Sequence, residues 1–111
     1  MHRVSIAIGD AVYQEGEQGS MAFLVLAGEL VTERQGLTLT AEAGSVIGLS
    51  ALVNKPYAAT ARARQPSDLL AFSRRELRGM IRSDPDRALV IIDAIIDLIG
   101  QLNSAMDQSQ V

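Results

Sequence analysis

The sequence contains no cysteine, no tryptophan and one histidine, His2, next to the chain start. Without thiols it can carry no disulfide framework, iron–sulfur cluster, thiolate zinc site or cysteine nucleophile. One imidazole at a fraying end leaves a multi-histidine metal centre without ligands and a serine–histidine hydrolase without its base. Aromatic residues are only 4% of a chain that is 48% hydrophobic, so its core must be built from Ala, Val, Ile and Leu, with Phe23 and Phe72 as rare large pieces. There is no apolar run of the roughly 18 residues that a membrane span needs. The opening Met1-His2-Arg3-Val4-Ser5 also lacks the apolar stretch and small-residue cleavage site of a secretory leader. Positive charge is short too: 10 basic against 13 acidic groups give a net charge of −3, which argues against a nucleic-acid footprint over the whole surface. These absences lead to the expectation of a soluble, cytoplasmic protein that is not an enzyme, with no bound metal or cofactor.

What is present fits one domain, residues 1–111. Glycines at 9, 16, 19, 28, 36, 44 and 48 cut the first half into strand-length pieces, whereas only Gly79 and Gly100 follow. Alternating or β-branched runs between these turns predict strands near 4–8, 11–14, 21–26, 29–34, 37–41, 58–64 and 68–73. The expected fold is mainly β with C-terminal α: a double-stranded β-helix, or jelly-roll-like β-roll, over about 4–73, then a short helix and a long one.

The helices have their own signals. Ser73 and Glu76 have capping-box spacing, and Leu77, Met80 and Ile81 make an apolar stripe, predicting a helix over about 73–82. Asp84-Pro85 offers a fresh N-cap and a first-turn proline, opening a helix carried to about 106. Along it, Ala88, Ile92, Ile95, Ile99, Leu102 and Met106 step by 4, 3, 4, 3 and 4, the spacing of a heptad seam, and predict a homodimer through this helix. Leu89, Val90, Ile91, Ile96 and Leu98 widen its apolar surface, and Asp93 and Asp97 mark the wet side.

In Gly9–Glu17, Phe23–Gly28, Ala43–Gly48 and Pro56–Ala63 the chain resembles the cyclic-nucleotide-binding domain of catabolite activators and of protein kinase A regulatory subunits. Several glycine-marked segments in the right order, over about residues 4 to 106, carry the resemblance. It implies a regulatory module in which a ligand at a phosphate-binding cassette near 48–60 biases how the two helices lie against the roll. The family pattern has Gly-Glu at the start of this cassette, the glutamate holding a ribose hydroxyl, and Pro-Arg near its end, the arginine holding the cyclic phosphate.

Here those positions read Gly48-Leu49 and Pro56-Tyr57. Leucine has no acceptor, and a phenol has neither the charge nor the fork of a guanidinium. Losing two such charged partners, at about 1.5 to 3 kcal/mol each, weakens binding by roughly two to four powers of ten. The cassette is therefore read as degenerate, with Gly48, Leu49, Ser50, Tyr57, Ala58, Ala59, Thr60 and Arg62 as the candidate ligand pocket. Leu49 suggests a cavity closed by apolar atoms, and Tyr57 either fills the space of the arginine or stacks on a changed ligand. Ser50, Lys55, Thr60, Arg62 and Arg64 are the groups that could replace the lost contacts, alongside backbone amides after Gly48. Cyclic AMP and cyclic GMP are not expected to bind by the usual contacts; the alternative is a sensor of cyclic nucleotide or another small anion through altered chemistry. A cupin-like enzyme would share the roll but needs a metal triad that one histidine does not supply.

Arg74, Arg75, Arg78 and Arg82 form a cationic stripe on the short helix, with a solvated face as the default and a protein or phosphate-rich partner as the other reading. No DNA-binding helix-turn-helix follows the long helix in the sequence, so no DNA-binding domain is expected.

Overall fold

In the computed structural model of the chain, the backbone is described for residues 1–109 and the side chains for residues 1–101. Eight strands form two antiparallel sheets: β1 (His2–Ile6), β2 (Ala11–Tyr13), β3 (Met21–Ala27), β4 (Glu29–Arg34), β5 (Leu37–Glu42), β6 (Val46–Ile47), β7 (Thr60–Ala63) and β8 (Ser67–Ser73). One sheet has the order β1-β8-β3-β6 and the other β2-β7-β4-β5, so the chain crosses repeatedly between two facing layers, a jelly roll as expected. A 3-10 turn, η1 (Leu49–Val53), lies between β6 and β7, and helices α1 (Arg74–Ser83) and α2 (Pro85–Ser109) close the chain.

Strand positions differ from expectation where turns intervene. The first strand ends at Ile6 instead of residue 8, because Asp10 N–H bonds back to the Ala7 carbonyl at 3.1 Å and turns the chain towards β2. Ile8 is thereby left 65% exposed at the turn. β6, with two residues, falls below the length at which alternation is legible, and β7 is shorter than the 58–64 predicted.

Between β4 and β5 the two residues Gln35 and Gly36 both have positive φ, 49° and 80°, as a two-residue hairpin turn matching the strand twist requires. The resulting register sets Leu30 opposite Ala41, Thr32 opposite Leu39, and Arg34 opposite Leu37. Because strand side chains alternate, these three pairs lie on one face of the sheet. Leu30 and Ala41 are buried, Thr32 and Leu39 half-buried, and Arg34 and Leu37 exposed. The face thus runs in three steps from the core to the rim of the roll.

Burial divides into two apolar clusters. Inside the roll, Tyr13, Val25, Leu30, Ala41, Ile47, Ala51, Tyr57, Ala61 and Leu69 pack together. The second cluster seats the helices: Ala22, Leu24, Val46 and Phe72 of the roll meet Met80 of α1 and Ala88, Ile91 and Ala94 of α2. The capping box at α1 is present in both directions, Glu76 N–H donating to Ser73 Oγ at 3.1 Å and Ser73 N–H to the Glu76 carboxylate at 3.0 Å. Asp84 caps α2, accepting from Arg87 N–H at 3.4 Å. Leu77 and Met80 pack as the α1 stripe predicts, but Ile81 is 47% exposed.

The face that α2 turns to the roll corrects the seam. Ala88 is 1% exposed and Ile95 packs against the same cluster, so two of the residues expected at a partner belong to the domain's own core. Ile92 is half-buried and Ile99 is 50% exposed, while Leu102 and Met106 lie outside the described side chains. Leu89, Ile96 and Ile99 instead leave an apolar stripe about a third of a turn from the packed face, flanked by exposed Asp93 and Asp97. Among the described residues, no helix is long and apolar enough to cross a membrane.

Candidate functional site

The turn from β6 into η1 depends on Gly48, which has φ of 79°, a left-handed conformation that glycine adopts without steric cost. A Cβ there would also come within 3.1 Å of the Tyr57 ring and 3.2 Å of the Tyr13 ring, so the backbone and both aromatics share one close-packed corner. Tyr57 N–H donates to the Glu17 carbonyl at 3.0 Å, and Gly16 N–H donates to the Tyr57 carbonyl at 2.8 Å, tying the end of the cassette to the β2–β3 loop.

This anchoring sends the Tyr57 side chain into the core. Its ring stacks on Tyr13 with centroids 3.9 Å apart and planes 12° from parallel, and Phe23 continues the column at 6.1 Å from Tyr13. Tyr57 is 6% exposed, and its hydroxyl donates to the Met21 carbonyl at 2.8 Å, a bond that the phenol makes only while it keeps its proton. Burial raises the pKa of both phenols; at Tyr13, where the effect is large, the adjacent Tyr57 adds to it and a backbone hydrogen bond at Gly48 opposes it.

Beside this column lies a cavity of about 410 Å³. Its floor is Tyr13, Val46 and Ile47; the cassette contributes Gly48, Leu49, Ser50, Ala58 and Ala59; the β4–β5 hairpin contributes Thr32, Arg34, Leu37 and Leu39; and α2 contributes Leu98. The volume falls within the roughly 300–1,000 Å³ usual for small-molecule sites. Leu49 therefore lines an open space, contrary to the expectation that it closes one. A second cavity, of about 270 Å³, shares Thr32, Leu39, Val46, Ile47 and Leu98 and reaches Ala94 and Asp97 of α2. Leu98 thus stands between two spaces rather than in a packed interface.

Five of the expected pocket residues meet here: Gly48, Leu49, Ser50, Ala58 and Ala59. Three do not. Tyr57 is behind Tyr13 and does not line the cavity, so it is no platform for a ligand. Thr60 Oγ1 accepts from Glu15 N–H at 3.0 Å, and Arg62 Nη1 donates to the Gly9 carbonyl at 2.9 Å, at the β2–β7 side of the roll. Nor do Lys55 and Arg64 reach the cavity: Lys55 is exposed outside it, and Arg64 pairs with Glu29 at 2.8 Å. Ser50 Oγ spends its proton on the Pro56 carbonyl at 2.9 Å.

The polar groups left facing the space are few. Among the described residues, the amides of Ala58 and Ala59 donate no hydrogen bond to the chain, and Arg34 makes no ion pair. Tyr13, Thr32, Arg34, Leu37, Leu39, Val46, Ile47 and Leu98 line the cavity but are not among the pocket residues expected from the sequence. For the four hairpin residues a signal existed: Gln35-Gly36 between two alternating runs fixes the register and with it the shared face. On α1, Arg74, Arg75, Arg78 and Arg82 are all exposed. Among the described residues, no group of three or more His, Cys, Asp or Glu side chains is gathered to hold a metal.

A model of the cyclic nucleotide-binding domain matches residues 3–84. Among solved structures, the N-terminal domain of a transcriptional regulator from Streptomyces coelicolor A3(2) is 25% identical with a TM-score of 0.64, over 95% of this chain and 78% of that one. A cyclic nucleotide-binding domain from Methylobacillus flagellatus KT is 20% identical with a TM-score of 0.74, over 96% of this chain and 64% of that one. The catabolite activator protein of Thermus thermophilus is 21% identical with a TM-score of 0.74, over 98% of this chain and 53% of that one. The chain therefore spans less than two-thirds of the latter two. No curated protein matches it.

Proposed function

The chain belongs to the cyclic nucleotide-binding domain family, and from that premise we propose that it is a non-catalytic regulatory module whose cavity does not take cyclic AMP or cyclic GMP by the usual contacts. The observation that carries this reading is the seat of Tyr57. Where the resemblance puts the guanidinium that grips a cyclic phosphate, this chain has a phenol turned away from the cavity, stacked on Tyr13 and bonded to Met21. Leu49 sits in the cavity wall where the resemblance puts the ribose acceptor. Each loss removes a charged partner, and together they put a micromolar ligand at roughly 0.1 mM or weaker. Titration calorimetry with cyclic AMP and cyclic GMP tests this: no dissociation constant tighter than about 10 µM is expected, and a tighter one for either nucleotide overturns the reading.

The module acts as a homodimer through α2. Leu89, Ile92, Ile96 and Ile99 step by 3, 4 and 3, the spacing at which one helix packs against a like helix, and three of the four are at least half exposed. Pairing by a two-fold axis would set this stripe against itself.

A second reading is favoured by the open space beside the cassette: the module senses another small anion with changed contacts. Leu98 supports it, because a ligand that fills the cavity touches α2 directly and so biases the helix that makes the dimer. In this reading the residues after Gly48 supply amides, and the cation comes from a different element of the roll.

A further inference from the structure

We propose that the cavity binds a small monocarboxylate with a hydrocarbon or aryl body, its carboxylate held at the rim by Arg34. The inference rests on the reading that the cavity remains a ligand site with altered contacts, and it names the ligand's chemistry.

The β4–β5 hairpin register sets the polarity of the cavity wall. Leu30–Ala41, Thr32–Leu39 and Arg34–Leu37 descend one face of the sheet from the buried core to solvent. The last two pairs line the cavity, so its wall becomes more polar and more open towards Arg34. Deeper in, the wall is Tyr13, Val46, Ile47, Leu49 and Leu98, which offers hydrocarbon and an aromatic face but no charged side chain. Among the described residues Arg34 is the one charged side chain that lines the cavity, and it makes no ion pair.

This asymmetry selects the ligand. A sugar or nucleobase placed against the apolar wall would lose its water without regaining hydrogen bonds, and each such group is costly to bury. An apolar body has no such cost and gains by leaving water. A single guanidinium matches one planar carboxylate through two parallel N–H donors. A phosphate dianion would leave half its charge uncompensated at this rim. The free amides of Ala58 and Ala59 add neutral donors suited to the same monoanion.

The test uses the full chain and a defined panel: hexanoate, octanoate, decanoate and phenylacetate, each beside its neutral amide, by titration calorimetry. At least one acid is expected to bind with a dissociation constant below about 1 mM and at least about tenfold more tightly than its amide. Arg34→Gln should weaken that acid by about 10- to 100-fold and leave the amide unchanged, whereas Arg34→Lys should retain a preference for the acid. Thermal melting of both variants checks the fold, which should persist because Arg34 is exposed. The proposal fails if no acid binds, if acid and amide bind alike, or if Arg34→Gln binds the acid as well as the unaltered chain does. Cyclic AMP titrated in parallel separates the two proposals: tight nucleotide binding sinks the reading of a degenerate cassette, while silence from both nucleotide and panel sinks only the carboxylate.

Discussion

Gly19 and Tyr57 meet so closely that a Cβ on Gly19 would lie 2.5 Å from the phenol oxygen and 2.6 Å from a ring carbon. The ring cannot retreat cheaply, since Tyr13 covers one face and the hydroxyl is bonded to Met21. The cassette's tyrosine therefore has a seat prepared by the β2–β3 loop, about 40 residues earlier in the chain.

Gly19→Ala is expected to destabilise the domain by about 1 to 3 kcal/mol through overpacking. In a Tyr57→Ala background the same change should cost almost nothing, because the obstructing ring is gone. Urea melts of the two single variants and the double variant give the coupling energy. Additive costs would show that the contact is relieved elsewhere and that the seat is not specific.

Reverting the cassette should not restore it. Tyr57→Arg places a guanidinium at a site that is 6% exposed, between an aromatic ring and one carbonyl, with Tyr13 between it and the cavity. An uncompensated buried charge costs about 3 to 5 kcal/mol, so a large fall in melting temperature is expected without any gain in affinity for cyclic AMP. Recovery of micromolar binding by this single change would mean that the side chain at 57 can reach the cavity after all.

These particulars mark what was legible in the sequence. The capping box at Ser73, the break at Asp84-Pro85 and most strands were legible because each is written in residues a few positions apart. β6 is too short to show a period, and the burial of Tyr57 depends on Tyr13, Gly19 and Met21, brought near only by the finished roll. Arg34 lies between those cases: its hairpin is local, but which face of that hairpin meets a cavity is decided by the opposite sheet and α2. For α2 itself, two apolar stripes run side by side at helical spacing, and nothing within the helix tells which one the roll takes.

The stacked phenols predict a pH dependence. Both have folded-state pKa values raised by burial, against about 10 for an unfolded tyrosine. Below that pH both states keep the proton and stability is level; above it the unfolded chain releases protons that the fold retains, so stability must fall as pH rises. The limiting slope is about 1.4 kcal/mol per pH unit for each phenol. Urea melts from neutral pH to about 11 should show this decline, and Tyr57→Phe should make it shallower. Stability unchanged up to pH 11 would show that the phenols are solvated.

The proposed dimer seam can be tested by one double and one single substitution. Ile96 and Ile99 are 59% and 50% exposed, so Ile96→Asp with Ile99→Asp removes apolar surface from solvent without opening the domain's core. Sedimentation should convert from dimer to monomer while the β-rich circular dichroism and the melting temperature of the roll persist. Ala88→Asp is the contrasting change, since that residue is 1% exposed and packs with Phe72 and Met80. It should unfold the helix from the roll, because a buried carboxylate there has no partner and costs several kcal/mol. If the unaltered chain sediments as a monomer, the stripe is not a self-interface. If Ala88→Asp separates the protomers and leaves the fold intact while the isoleucine pair does not, the seam runs through the face assigned here to the core.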